Sequence, residues 1–249
     1  MKNDLSDGFS YLFKGLMLLN TPGIRPFVII PLLINIIIFS SVFAVAGYYF
    51  TEGLDYLLSK LPEWLSFLYW VIMPLFASVV LFIVGYTFNI LANIIGAPFN
   101  GFLAEKIEEH LQGERPVEKM GLTELIAIIP HSIQRELHKL SYYLPRLLLL
   151  ILLTLIPGLN IIAPFMWFVM GAWMLAIQYS DFPMDNNNIS FAEMKSLLKQ
   201  NRLNSIGFGA TVAIALSIPF VNFLVMPAAV AGATLMWVEK HQKPTPKQV

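Results

Sequence analysis

The chain has 249 residues, of which 57% are apolar and 13% are charged, and its 16 basic and 16 acidic residues give a formal net charge of zero. Because soluble domains carry about a quarter charged residues, this composition is typical of a protein embedded in a lipid bilayer. The balanced charge argues against a nucleic-acid partner. The absence of cysteine excludes disulfides, thiolate catalysis and Cys-based metal sites.

The first predicted element is an amphipathic helix near the N-terminus. Its apolar residues recur at helical spacing, while Asp7 and Lys14 fall outside that stripe. This pattern is typical of a helix that lies in the membrane interface. The stripe consists of Leu5, Phe9, Leu12, Phe13, Leu16 and Leu19.

Four long stretches contain no charged residue. They are 26–51, 64–104, 147–180 and 203–238. Roughly 20 apolar residues, at ~1.5 Å each, cross a hydrocarbon core of ~30 Å. The first stretch therefore predicts a transmembrane helix at about 27–50. The second predicts a transmembrane helix at about 66–95, with an excess that leaves the bilayer or breaks near Gly96 and Pro98.

The last two stretches are each interrupted near the middle by residues that favour turns. The interruptions have a similar spacing, Pro157, Asn160 and Pro164 in one stretch and Pro219, Asn222 and Pro227 in the other. The arm before each tip has about 10 to 16 residues, or roughly 15 to 24 Å, which is short for a full crossing. This predicts two re-entrant helical hairpins, at about 145–180 and 204–238, that enter the membrane partway. Kinked helices or four short full spans are the alternatives.

A second amphipathic helix is predicted between the second span and the first hairpin. Its apolar stripe consists of Leu122, Leu125, Ile126, Ile129, Ile133, Leu137 and Leu140. His131, Arg135, Glu136 and His138 on this helix have the residue types of a metal site, but Arg135 would repel a cation. The favoured interpretation of these four residues is a solvated helix surface. The whole chain is predicted to be all-α, with a single membrane domain at 1–241 and a disordered tail at 242–249.

The basic residues predict the orientation of the chain. The segment between the two spans, 52–63, holds one of the 16 basic residues, Lys60. The others fall on one side of the membrane if each hairpin returns to the side where it began. Because Lys and Arg concentrate on the cytoplasmic side, both termini are predicted to be cytoplasmic.

Signatures of enzymes are absent from the sequence. It has no GxSxG turn, no HExxH helix, no Walker A loop and no pair of carboxylates within a span. We therefore expect no catalytic residues, no metal, no cofactor and no ATP-driven transport. The spans also lack an acid or base that could relay protons.

Asparagines provide most of the polar character within the apolar stretches. Asn35 lies in the first span, and Asn89, Asn93 and Asn100 follow one helix face in the second. Asn160 and Asn222 lie at the two hairpin tips. These side chains either line a polar path or form hydrogen bonds between helices.

The loop before the first span has the features of an anion site. Its sequence is Asn20-Thr21-Pro22-Gly23-Ile24-Arg25-Pro26. Gly23 permits a positive φ, so the N–H groups of Thr21, Gly23 and Ile24 can converge on an anion. Arg25 adds a permanent charge with forked donors at the N-terminus of a helix. The alternative is that Arg25 anchors the helix at the lipid headgroups.

The sequence resembles the CysZ family of bacterial sulfate permeases from about Phe9 to Glu239. The resemblance is carried by five blocks in order: NTPGIRPFVIIPL at 20–32, APFNGFLAEKIE at 97–108, RELHKLSYYLPR at 135–146, AWMLAIQYSDFPMDNN at 172–187 and IPFVNFLVMPAAVAGATLMW at 218–237. It implies an inner-membrane protein that admits sulfate to the cytoplasm for cysteine biosynthesis. It also implies two long membrane helices, two half-inserted hairpins and a homo-oligomer, a dimer or larger.

One position departs from the family pattern. Many relatives have a second basic residue beside the position of Arg25, where this chain has Pro26. Sulfate binding would then depend more on backbone donors of the loop, including Asn20. The alternative function is a membrane scaffold that binds anions without transporting them.

Overall fold

The structure is a computed structural model that describes residues 4–60, 62, 67–113, 122–218 and 221–240. All regular secondary structure in these ranges is helical, so the predicted all-α class is confirmed there. The α-helices are α1 (Leu5–Leu18), α2 (Pro26–Leu58), α3 (Leu68–Gln112), α4 (Leu122–Thr154), α5 (Ala163–Asn186), α6 (Phe191–Gln200), α7 (Arg202–Leu216) and α8 (Asn222–Lys240). The predicted tail at 242–249 lies outside the described residues.

The chain divides into two compact units. One unit contains the described residues up to Val28 together with those from Pro98 onward, and the second is Ile29–Ala97. The loop between α1 and α2 and the polar contacts of α4, α5 and α6 belong to the first unit.

The second unit contains most of the two predicted spans. Within the described part of the chain, one segment, Pro26–Tyr56, is long and apolar enough to cross a membrane by length and composition. The side chains of 81–98 in α3 lie outside the described part. The backbone of α3 continues as helix through Gly96 and Pro98, so the predicted break there is wrong and the excess residues extend the helix.

Small residues hold the core of the first unit together. Helix α1 packs against α7 and α8, and α5 packs against α7. A Cβ at Gly15 would collide with the backbone of α8 at Ala228, and a Cβ at Gly209 would collide with the carbonyl of Ala172 on α5. Side chains of this size let two helix backbones approach closely, which is the usual way that helices associate in a membrane.

The predicted apolar stripe of α1 lies mostly outside this core. Leu12 and Leu19 are buried, whereas Leu5, Phe9, Phe13 and Leu16 are exposed. The buried face consists instead of Gly8, Tyr11, Leu12 and Gly15. The stripe therefore marks a surface of the protein, because the close helix contacts require glycine at the positions that face α7 and α8.

The helices are interrupted at both places where the sequence predicts a hairpin tip. In the first, α4 ends at Thr154, Gly158 has a φ of +91°, and a short 3-10 helix, Leu159–Ile161, leads into α5. In the second, α7 ends at Leu216 and α8 begins at Asn222, while Pro219 and Phe220 of the predicted tip lie outside the described residues. The positive φ at Gly158 agrees with a turn that glycine favours.

Helix α4 buries two basic residues and exposes three apolar ones of the predicted stripe. Arg135 is 9% exposed and Lys139 is 5% exposed, whereas Ile133, Leu137 and Leu140 are all more than half exposed. The side chains of Leu122, Leu125, Ile126 and Ile129 lie outside the described part. The predicted solvated surface is therefore wrong for Arg135, because this residue packs against α5 rather than facing outward.

Candidate functional site

Two buried side chains anchor the loop between α1 and α2. Leu19, just after α1, and Ile24, in the loop, are 8% and 2% exposed. Both belong to the core cluster that includes Val225 and Ala228 of α8. Asn20, Gly23 and Arg25 are exposed. The buried side chains therefore hold the loop against the core while its polar groups remain accessible.

Hydrogen bonds between backbone groups fold the loop into consecutive turns. The N–H of Thr21 donates to the carbonyl of Leu18 at 3.0 Å, and the N–H of Ile24 donates to the carbonyl of Thr21 at 3.1 Å. The N–H groups of Phe27 and Val28, in the first turn of α2, donate to the carbonyls of Ile24 and Arg25. These four donors are therefore already bonded within the loop.

Gly23 and Arg25 provide the remaining donors. Gly23 has a φ of +93°, as the anion-site interpretation requires, and a side chain there would meet no atom within 4 Å. Within the described part of the chain, the N–H groups of Gly23 and Arg25 have no acceptor. The donor set therefore differs from the predicted one, because Thr21 and Ile24 shape the loop through their own hydrogen bonds.

The side chain of Arg25 is oriented by the loop itself. Its Nε donates to the carbonyl of Asn20 at 2.9 Å. The same bond gives Asn20 a role as an acceptor that positions the guanidinium. No carboxylate pairs with Arg25 among the described residues, so both terminal nitrogens remain available to an anion. The guanidinium of Arg25 and the free N–H groups of Gly23 and Arg25 are donors of the kind that bind a tetrahedral oxyanion.

Most of the predicted polar path cannot be placed in the structure. The side chains of Asn35, Asn89, Asn93 and Asn222 lie outside the described part. Asn100 is half-buried on α3, and Asn160 is exposed in the 3-10 helix at the first hairpin tip. The pore-lining assignment of all six asparagines stays a prediction.

A second polar site, which the sequence analysis did not predict, joins α4 to α5. Arg135 contacts Asp181 at 2.8 Å and Asp185 at 3.2 Å, and its Nη1 donates to the carbonyl of Ile189 at 2.8 Å. Lys139 contacts the other oxygen of Asp181 at 3.1 Å. We refer to Arg135, Lys139, Asp181 and Asp185 as the buried ion cluster. Its cations are paired with carboxylates across the contact between α4 and α5, so the cluster stabilises this helix pair.

The spacing of these residues could have identified the cluster. Arg135 and Lys139 are four residues apart on α4, and Asp181 and Asp185 are four apart on α5, so each pair lies on one helix face. The two helices are joined by a hairpin, which brings the basic face against the acidic face. The apolar stripe of α4 suggested the opposite orientation, because apolar residues usually mark the buried face of a helix.

Polar contacts also connect α1 to the C-terminal end of α8. The hydroxyl of the buried Tyr11 donates to Oε2 of Glu239 at 2.9 Å, and Lys240 contacts Asp7 at 3.0 Å. Burial raises the pKa of Tyr11 above its usual value, and the hydrogen bond and charge of Glu239 raise it further. These contacts hold α1, and with it the beginning of the loop, against α8.

The chain matches a known family over most of its length. Residues 11–227 match the family described as "Sulfate transporter CysZ/Etoposide-induced protein 2.4". A Pseudomonas aeruginosa protein named sulfate transporter CysZ is 46% identical over 234 residues, which cover 94% of this chain and 95% of that protein.

Two further relatives carry the same name. The Pseudomonas fluorescens protein is 48% identical, with 94% of each chain covered, and the Vibrio cholerae protein is 49% identical over 236 residues, with 93% of this chain and 92% of that protein covered. Together with the match over residues 11–227, these identities show that the chain belongs to the sulfate transporter CysZ/etoposide-induced protein 2.4 family.

Proposed function

We propose that the protein transports sulfate across the bacterial inner membrane into the cytoplasm, where the sulfate supplies cysteine biosynthesis. The observation that carries this proposal is the similarity along almost the whole chain to proteins named sulfate transporter CysZ. These relatives and the family description name a transporter, not an enzyme. The absence of an ATP-binding motif from the sequence supports transport that is channel-like or facilitated.

Sulfate binds, in this proposal, at the exposed Arg25 loop. Sulfate is a strongly hydrated dianion, so it leaves water only for a site that offers charge together with converging donors. In this proposal, the guanidinium of Arg25 supplies the charge, and the N–H groups of Gly23 and Arg25 supply the backbone donors. Asn20, Thr21 and Ile24 position these donors through their backbone bonds and the burial of Ile24.

The membrane arrangement that we propose follows the sequence analysis. Two helices span the bilayer at about 27–50 and 66–95, and the hairpins at about 145–180 and 204–238 enter it partway, with both termini in the cytoplasm. Exposed leucines along α4, including Leu144, Leu148 and Leu152, support contact with lipid on that helix. The proposed transport unit is a homo-oligomer in the lipid bilayer, with the six asparagines along the sulfate path.

Uptake of labelled sulfate into proteoliposomes that contain only this protein tests the proposed function. We expect uptake above that of protein-free liposomes, with equilibration down the sulfate gradient and without added ATP. If sulfate binds to the purified protein but uptake equals that of the empty liposomes, the protein is an anion-binding scaffold and the transport proposal is wrong.

Labelling of introduced cysteines tests the proposed membrane arrangement. Gln200→Cys, at the exposed end of α6, should react only from the cytoplasmic side. Asn160→Cys, at the exposed hairpin tip, should resist a membrane-impermeant reagent added to the periplasmic side. Rapid periplasmic labelling of Asn160→Cys would show that the hairpin crosses the whole membrane.

A further inference from the structure

Two cations lie over a single tyrosine ring of α4. The guanidinium carbon of Arg146 lies 3.6 Å from the centre of the Tyr142 ring, and Nζ of Lys195, on α6, lies 4.7 Å from it. Nζ of Lys195 also lies 4.7 Å from the centre of the Phe191 ring. The two cations therefore lie near each other, since their separation cannot exceed the sum of their distances to the shared ring centre.

The Tyr142 ring is held in place by its neighbours. Its hydroxyl accepts a hydrogen bond from Nε1 of Trp173 at 3.1 Å, and its ring meets Phe191 edge to face. Arg146 is held in turn, because its Nη1 donates to the carbonyl of Tyr142 at 2.6 Å. The aromatic surface thus fixes two positive charges that would otherwise repel each other.

In the part of the chain that the structure describes, neither Arg146 nor Lys195 has a carboxylate partner, in contrast to Arg135 and Lys139 earlier on α4. Arg146 is exposed and Lys195 is partly exposed. Two adjacent, fixed and unpaired cations provide the donors that a phosphate or sulfate group requires.

The residues around the two cations favour a phospholipid over a free oxyanion as the ligand. Arg146 is the last charged residue before the charge-free stretch 147–180. The next turns of α4 expose Leu148, Leu149 and Leu152 to the outside. A free oxyanion gains nothing from exposed leucines, whereas a phospholipid can place its phosphate at the cations and its acyl chains along the leucines.

We propose that Arg146 and Lys195 form a binding site for the phosphate of an anionic phospholipid, with phosphatidylglycerol as the probe. This site rests on the proposed membrane location of the protein and is separate from the Arg25 loop. Bound lipid would connect α4 to α6 and hold the first hairpin at the cytoplasmic headgroups. Tyr142 and Trp173 belong to the residue types that are enriched at the headgroup region of membranes.

Native mass spectrometry of the purified full-length protein tests the site. Phosphatidylglycerol or phosphatidylcholine is titrated into the detergent-solubilised protein, and the bound fraction of each lipid is measured. We expect preferential retention of phosphatidylglycerol and about tenfold weaker binding to the Arg146→Ala, Lys195→Ala double variant. The matched control is Lys199→Ala with Arg202→Ala, which removes the same charges from exposed positions nearby and should leave the affinity unchanged.

Several results would contradict the proposal. Equal loss of lipid in the control variant would show that only general positive charge attracts the lipid. Unchanged lipid binding in the Arg146→Ala, Lys195→Ala variant would show that these two residues do not form the lipid site. Displacement of the lipid by excess sulfate would identify a site for free oxyanions instead. Size-exclusion chromatography verifies folding, and the milder Lys195→Gln variant repeats the comparison if the double variant aggregates.

The lipid site and the proposed transport function can fail independently. Sulfate uptake is not a readout for lipid binding, so a wild-type protein that transports sulfate but shows no preference for phosphatidylglycerol contradicts the lipid site alone. A wild-type protein that retains the lipid but transports no sulfate contradicts the transport proposal alone.

Discussion

Arg25 and Arg135 belong to the same compact unit, yet their surroundings give them different properties. Arg135 is buried and bonded to Asp181, Asp185 and the carbonyl of Ile189. Arg25 is exposed, makes one bond to the carbonyl of Asn20, and has no carboxylate partner among the described residues. A guanidinium buried among carboxylates stabilises a helix pair, whereas an exposed guanidinium without a carboxylate partner can bind an anion. The residue type alone therefore does not identify a binding site.

The largest expected effect is a loss of protein stability when Arg135 is replaced. Arg135→Ala leaves Asp181 and Asp185 without their main cation, and removing one partner of a buried ion pair costs about 3–5 kcal/mol. We expect a large drop in the thermal unfolding midpoint of the detergent-solubilised protein. Arg202→Ala, at an exposed position, is the control and should change the unfolding free energy by less than about 0.5 kcal/mol. An unchanged midpoint in Arg135→Ala would show that the buried ion cluster does not stabilise the helix pair.

At the Arg25 loop, we expect a substitution to affect sulfate binding rather than stability. Arg25→Ala should weaken sulfate binding at least about tenfold, because each hydrogen bond to a charged group contributes ~1.5 to 3 kcal/mol. The unfolding midpoint should change little. Arg25→Lys should recover part of the affinity, since an ammonium group cannot make a planar two-point contact. Calorimetry that finds unchanged affinity in folded Arg25→Ala protein would show that this residue only anchors the helix, and that sulfate binds elsewhere, among the asparagines.

The contact that holds α1 against α8 predicts a smaller, pH-dependent effect. Tyr11→Phe removes the hydrogen bond to Glu239 and should lower the unfolding free energy by about 1 kcal/mol. Because the pKa of Tyr11 is raised in the folded protein, its phenol keeps its proton at a pH where the unfolded chain releases it. This contribution is complete below the usual tyrosine pKa of about 10 and is lost as pH rises above it.

The difference between the wild type and Tyr11→Phe isolates this contribution from the other tyrosines and lysines. Thermal unfolding of both proteins at neutral pH and above the usual tyrosine pKa provides the measurement. We expect the wild type to lose more stability with rising pH than the variant does. Parallel pH profiles would show that the folded protein does not hold the proton on Tyr11.

The smallest effect is expected from the backbone of the loop. The methyl group that Gly23→Ala adds would meet no atom within 4 Å. The loss of unfolding free energy therefore comes from the positive φ and should be about 1 kcal/mol. Gly47→Ala is the matched control, because Gly47 also has open space but lies within α2. It should stabilise the helix by up to about 1 kcal/mol. Equal shifts of the unfolding midpoint in the two variants would show that the conformation of Gly23 is not strained for alanine.

The loop was accessible to sequence analysis because its features are local. A glycine two residues before an arginine, with proline at the helix start, predicts a positive φ and an exposed cation. Both are present, at Gly23 and Arg25. The hydrogen bonds of the loop were not accessible in the same way. Which N–H groups remain free depends on the turns that connect α1 to α2, and these turns occupy the donors of Thr21 and Ile24.

The sequence by itself determined the all-helical class, the places where the last two apolar stretches are interrupted and the residues of the exposed loop, because these depend on composition, on breakers and on neighbouring residues. Only the tertiary structure decided which helix faces are buried. Gly8 and Gly15 face inward on α1, and Arg135 faces inward on α4, while most of the α1 stripe and the described residues Ile133, Leu137 and Leu140 of the α4 stripe are exposed. When the exterior of a protein is as apolar as its core, hydrophobic periodicity no longer distinguishes inside from outside. Close backbone approach and the pairing of charges then select the buried face.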